Sequence, residues 1–155
     1  MELYHGSGVA VPSPEIRITK FTKDFGWGFY CTNNPSQAER WARRHRNSSK
    51  GETPTVSVYD FEEKGRLNCK TFPQMSEEWL DLIVLCRGGG LHDYDIVEGP
   101  MADDEVWDYL EDFREGRISR AAFWELAKFK HPTHQISFHS AKALACLDFK
   151  EVITL

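Results

Sequence analysis

The chain has 155 residues, of which 41% are hydrophobic and 28% charged, and 24 Asp and Glu outweigh 19 Lys and Arg to leave a net charge of −5. That length suits one domain, residues 1–155, with a core of its own, and the composition is that of a globular protein. The acidic balance argues against nonspecific binding of duplex nucleic acid, and the longest apolar stretch, near residues 80–86, is far too short to span a bilayer.

Residues 1–5 alternate as a short strand that ends on His5. Residues 6–23 contain Pro12, Pro14 and many polar side chains, and read as a loop with room for one short strand. Residues 25–32 are aromatic and β-prone. Gly26 and Gly28 bracket Trp27, which marks a tight bend or a place where a ligand approaches the backbone. Residues 34–46 form a helix: Asn34 caps it, Pro35 suits its first position, and Gln37 completes a capping-box-like pattern. Ala38, Trp41, Ala42 and His45 make an inward stripe. Arg40, Arg43, Arg44 and Arg46 fall on or beside the other face, as a solvated surface or as a patch for phosphates.

Residues 55–61 alternate as a strand, and residues 67–72 are expected to pair with it. Residues 76–87 form a helix with Ser76 as cap and Glu77 and Glu78 in the first turn, stopped by Gly88-Gly89-Gly90. Residues 94–98 form a strand that enters a turn at Gly99-Pro100. Asp103 and Asp104 open a helix that runs through Arg114, with Val106, Trp107, Leu110 and Phe113 as its apolar positions. Gly116 ends it, and Ser119 starts another helix that reaches Phe129. A strand at residues 135–139, a helical turn at 141–147 and a strand at 150–155 complete the chain. Strands and helices interleave without regular βαβ spacing, so the fold class is α+β. No GxGxxG opens a helix and no P-loop occurs, so any nucleotide is bound by another geometry.

Cys31, Cys69, Cys86 and Cys146 sit in apolar or mixed runs without metal-knuckle spacing, which suits buried free thiols in a reducing compartment. His131 and His134 are close, but no nearby Cys or carboxylate completes a zinc set, and no metal is expected. Residues 1–6 lack the basic and apolar regions of a signal peptide, so a cytoplasmic location is expected.

By itself, His5 on a short strand suits a structural role better than a catalytic one. Its company changes the weighing. The motifs LYHGS at residues 3–7 and DFGWGFYCT at residues 24–32, followed by a helix, resemble the NAD-binding motifs of poly(ADP-ribose) polymerase-type ADP-ribosyltransferases. His5-Gly6-Ser7 matches the His-Gly-Ser or His-Gly-Thr of their first motif. Gly26-Trp27-Gly28-Phe29-Tyr30 matches the Gly-x-Gly-hydrophobic-Tyr of their second. This resemblance covers the first quarter of the chain and, loosely, the strand at Gln135. Over its full length the chain looks closer to an uncharacterised prokaryotic family, domain of unknown function 3990, grouped with these transferases. That likeness rests on LYHGS, DFGWGFY, Trp41-Ala42, YDIVEGPMADD at residues 94–104 and QISFH at residues 135–139.

The resemblance implies a split β-sheet core and NAD as co-substrate. His5 would bind the adenosine ribose, Gly6 the carboxamide through its backbone, and Ser7 the nicotinamide ribose. Gly28 belongs to the same cofactor-binding motif, Tyr30 would stack on nicotinamide, and Trp41 would close the other face. A core stripe explains Trp41 equally well. The chemistry itself asks for this kind of site. Breaking the bond between nicotinamide and ribose passes through an oxocarbenium-like transition state, so the protein must hold the ribose, clamp the ring and stabilise growing positive charge.

Two departures bear on activity. Ala38 stands where a Ser usually helps hold the carboxamide. Gln135 stands where the family's glutamate begins a late strand, and a neutral amide brings no charge to the oxocarbenium, so Gln135→Glu is expected to keep or raise activity. Asp95, Asp103 and Asp104 are the candidates for a replacement carboxylate, with Asp103 and Asp104 equally explained by the dipole of the helix they open. The implied function is mono-ADP-ribosyl transfer to a protein or nucleic-acid acceptor. By analogy it suits a toxin of a toxin–antitoxin or phage-defence pair, with an antitoxin protein as partner and no membrane. A noncatalytic NAD or ADP-ribose binding module and an NAD glycohydrolase are the alternatives.

Overall fold

The computed structural model describes residues 1–44 and 48–155, leaving aside the side chains of Ser48 and Asp104. His45 and Arg46, expected to close the first helix, lie outside the described residues. The strands are β1 (Glu2–Ser7), β2 (Phe29–Cys31), β3 (Thr55–Phe61), β4 (Cys69–Thr71), β5 (Ile96–Pro100), β6 (His134–Phe138) and β7 (Leu147–Thr154). The α-helices are α1 (Pro35–Arg44), α2 (Glu77–Arg87), α3 (Asp104–Arg114), α4 (Arg120–Ala127) and α5 (Ala141–Leu144). The fold is α+β, as expected, with its strands divided between two sheets. One sheet has the order β1-β3-β7 and the other β2-β6-β5-β4. The sheets meet where Tyr4 and Thr32 exchange backbone hydrogen bonds of 2.8 and 2.9 Å, and they part beyond it.

Local chemistry sets most element boundaries. The Asn34 side chain accepts from the Gln37 N–H at 3.3 Å, as a cap should. Gln37 does not close a reciprocal box; its Oε1 instead accepts from Arg40 at 2.6 Å. Ser76, Ser119 and Ser140 each accept from a backbone N–H three residues on, capping α2, α4 and α5. Gly89 and Gly116, at φ +86° and +76°, leave α2 and α3 through the left-handed region that glycine enters without strain.

Further expectations are corrected. Residues 67–72 do not pair with β3, because β1 and β7 already occupy both of its edges; β4 instead lies parallel to β5 in the other sheet. Gly99 and Pro100 are not a turn but the end of β5, paired with Gln135 and His134. Residues 8–28 contain no strand, and β7 begins earlier than expected, at Leu147. Cys31, Cys86 and Cys146 are buried thiols as expected, whereas Cys69 is exposed on the edge strand β4.

Trp79, Leu80 and Ile83 of α2, Leu110 of α3 and Phe123 of α4 pack with Phe25 and Val97 in the largest core. Leu3, Phe29, Tyr59, Ile136 and Phe138 fill the space where the sheets approach each other. Ala38 and Ala42 seat α1 on Val56 and Val58. Among the described residues no helix is long and apolar enough to cross a membrane.

Candidate functional site

A cleft opens where β1 leaves β2. Its inner lobe, of about 340 Å³, is lined by His5, Gly6 and Ser7 from β1, Tyr30 from β2, Trp41 from α1 and Gln135 from β6, with Lys23, Asp24, Arg87, Met101 and Ala102. An outer lobe of about 310 Å³ lies against the segment from Val9 to Phe21 and against Trp27, Gly28 and Phe29. His5, Ser7, Lys23 and Tyr30 border both lobes. Six residues singled out from the sequence (His5, Gly6, Ser7, Tyr30, Trp41 and Gln135) thus line the inner lobe, and Gly28 lines the outer one.

The motif residues are held from behind. The His5 Nδ1–H donates to the Tyr30 carbonyl at 2.7 Å, which sets its tautomer, and its ring stacks on Phe29 with centroids 4.3 Å apart. The bend at residues 25–27 is secured carbonyl by carbonyl. His92 Nε2–H donates to Phe25 at 2.7 Å, the Tyr30 hydroxyl to Gly26 at 2.6 Å, and His139 Nδ1–H to Trp27 at 2.9 Å. Burial first, and the nearby Asp24 charge second, push the Tyr30 phenol well above its ordinary pKa, so it remains a donor. Burial, aided by the neighbouring His92, lowers His139 to about 4 against the opposing pull of the Trp27 carbonyl. Its ring is therefore neutral at pH 7, with Nε2 2.7 Å from the Ser137 hydroxyl.

The glycines serve packing as well as access. A Cβ on Gly6 would stand 1.9 Å from the Ala38 carbonyl oxygen and 2.8 Å from the Ala42 nitrogen, so a side chain there would push α1 off β1. The seat of α1 on β1 therefore requires glycine at that position. At Gly28 a Cβ would stand 2.7 Å from His139 Nδ1, the atom that holds Trp27. Trp41 belongs to the cleft wall: it is half-buried, while Ala38 and Ala42 of the same stripe are fully buried.

A carboxylate not singled out from the sequence sits at the floor of the cleft. Asp24, only 4% exposed, takes Arg87 through both Nε and Nη2 on one oxygen. On the other it accepts the Ala102 N–H at 2.7 Å and the Gln135 amide at 3.2 Å. Arg87 also donates to the Thr22 carbonyl at 3.0 Å and stacks over Trp107, 4.2 Å from the ring centroid. Gln135 thereby commits one amide N–H to Asp24 and keeps its Oε1 as an acceptor. Asp24 stands inside the quoted motif DFGWGFY, but its partner Arg87 is 63 residues away, and no local pattern links the two.

The acids proposed from the sequence as replacements lie elsewhere. Asp95 accepts from the Asn68 N–H at 2.8 Å and the Ser140 hydroxyl at 2.6 Å, two bonds that hold its carboxyl below the ordinary range and tie down the start of α5. Asp103 is the N-cap of α3 and does not line the cleft. Asp104 opens the same helix, and its side chain lies outside what the structure describes. His131 and His134 border a separate groove beside Trp124 and Lys128.

Lys23 stands at the junction of the lobes. The residue as a whole is exposed, but its ammonium reaches in to 4.8 Å from the Tyr30 ring centroid. Desolvation there first, and Arg87 second, lower its pKa, with Asp24 opposing them.

No curated protein matches the chain. A family described as Protein of unknown function (DUF3990) matches residues 1–149, and the chain belongs to that family.

Proposed function

We propose that this protein is an NAD-dependent mono-ADP-ribosyltransferase. The observation that carries the reading is the convergence of His5, Gly6, Ser7, Tyr30, Trp41 and Gln135, scattered over the sequence, on one cleft with a second lobe beside it. A dinucleotide has two ends, and the two-lobed space offers each a place. Tyr30 and Trp41 supply aromatic surface for a flat ring. His5 and Ser7, at the junction, would take ribose hydroxyls. Gln135 Oε1 would accept from a hydroxyl of the reacting ribose.

The reaction breaks the bond between the ribose anomeric carbon and nicotinamide, which leaves as a neutral ring. The acceptor nucleophile then bonds to that carbon and gives up its proton. Asp24 fixes Gln135 and is the nearest described carboxylate to it, but Arg87 offsets its charge. Stabilisation of the cation is accordingly modest, which favours slow single transfers over chain elongation. The acceptor is a macromolecule, protein or nucleic acid. A cytoplasmic toxin restrained by an antitoxin is the biological setting that suits such an activity.

The test is incubation with NAD, following nicotinamide release and label transfer from adenine-labelled NAD. Release with label on a macromolecule is expected. Release without transfer would replace the reading by NAD hydrolysis. The Arg87–Asp24 pairing gives one specific reason for a second reading, a noncatalytic NAD or ADP-ribose binding module, and binding without release would establish it.

A further inference from the structure

We infer that Lys23 occupies the stacking face of Tyr30 until a diphosphate-bearing ligand draws it away, so that the cleft selects dinucleotides over the nucleosides they contain. The inference rests on the transferase reading for its ligand but not for its geometry. Three observations carry it.

The first is position. Lys23 borders both lobes, and the link between the two ends of a dinucleotide must cross that border. The second is that the Lys23 ammonium is uncommitted compared with the other cation there. Arg87 is engaged by Asp24, the Thr22 carbonyl and the Trp107 ring, whereas Lys23 forms no ion pair among the described residues and rests on the Tyr30 ring. The third is environment: the ammonium is partly desolvated and faces the Arg87 charge, so an arriving anion relieves it on both counts.

The exchange is a matching of charges. The oxidised nicotinamide ring is itself a cation, and an aromatic face that holds an ammonium also attracts it. As the ring takes the Tyr30 face, the ammonium moves to the diphosphate, where charge-assisted hydrogen bonds replace the aromatic contact. A nicotinamide riboside, with no phosphate, must displace the ammonium and offers it nothing in return.

Calorimetry with NAD, ADP-ribose and nicotinamide riboside on wild type, Lys23→Met and Lys23→Arg tests this, each variant first checked by its melting curve. Lys23→Met should weaken NAD and ADP-ribose by about tenfold, leave nicotinamide riboside unchanged or tighter, and flatten the loss of affinity with salt. Lys23→Arg should restore most of the loss. Equal effects on all three ligands, or none on any, would overturn the inference. If wild type binds ADP-ribose through Lys23 but does not bind NAD, the inference stands and the transferase reading falls. If it binds NAD without dependence on Lys23, the reading stands and the inference falls. If it binds none of the three, both fall.

Discussion

The two lobes of the cleft are built on different principles. The inner lobe is framed by β1, β2, β6 and α1, and at its floor Arg87, the Ala102 N–H and the Gln135 amide all converge on the buried Asp24 carboxylate. The outer lobe lies under a segment without strand or helix, fastened at a few points. The Val11 N–H donates to Ser57 at 3.0 Å, the Tyr59 hydroxyl donates to the Val11 carbonyl at 2.6 Å, and Trp27 Nε1 donates to the Thr19 carbonyl at 3.0 Å. Its apolar side chains Val9, Ile18 and Phe21 are more than half exposed. Rigid elements can hold groups to the tolerance a reaction needs, whereas a loosely fastened segment can adapt to a ligand's far end. Changes in the inner lobe should therefore cost stability and function together, and changes in the outer lobe should separate them.

Gly6→Ala is the most severe test of the inner wall. The new methyl meets backbone 1.9 Å away, and backbone cannot rotate aside, so a loss of about 3 kcal/mol is expected in urea unfolding. A variant as stable as wild type would mean that α1 is free to move on β1.

Asp24→Asn comes next. It leaves Arg87, whose side chain is 20% exposed, without its counter-charge, and should cost about 3 kcal/mol and slow nicotinamide release about tenfold or more. Gln135→Glu follows from the same network. It would set a second carboxylate against Asp24, now 3.2 Å from the amide, so both stability and release should fall. This reverses the expectation drawn from the sequence. Release that rises in Gln135→Glu would show that the added charge acts on the substrate and not on Asp24.

His139 supplies a pH dependence for the inner lobe's back wall. Its pKa is lowered to about 4 in the folded protein from about 6.5 in the unfolded chain, so the unfolded state binds more protons between those values. Stability from this group is present above pH 6.5 and is lost as pH falls toward 4, by about 2 kcal/mol between pH 7.5 and 5. Urea melts across that range should show the slope in wild type, and a folded His139→Gln protein should show correspondingly less of it. Equal slopes would mean that His139 is not held neutral.

Trp41→Ala should weaken NAD binding several-fold, the worth of about 1 kcal/mol of aromatic contact, in a protein that still folds because Ala38 and Ala42 hold the helix. The smallest expected effect on stability belongs to the outer lobe. Phe21, 76% exposed, should tolerate Ser within about 0.5 kcal/mol while NAD affinity falls measurably. A large loss of stability there would erase the distinction between the lobes.

Local signals were legible wherever the physics is local. The caps Asn34, Ser76 and Ser119, the glycines after α2 and α3, and the alternation of residues 55–61 each act within a few residues of chain, and each element formed where expected. The motif residues of the cleft were legible through resemblance, because short runs carry it. Pairings that depend on competition were not. Residues 67–72 follow β3 closely, and nothing in them reveals that β7, from the far end of the chain, claims that edge. Gly99-Pro100 looks like a turn until β6 arrives to pair with it.

By itself, then, the sequence determined the α+β class, where the helices start and the set of motif residues, because propensity, capping and periodicity operate over a turn or two of backbone. Only the tertiary structure decided how those residues are held and what they touch. It made Gly6 the seat of a helix, set Asp95 just before β5 in a bond to the Ser140 cap of α5, set Asp103 at the N-cap of α3, and brought Asp24, Arg87 and Gln135 together across 111 residues of chain. A buried charge must find its partner wherever the fold supplies one, and that requirement leaves no mark on neighbouring residues.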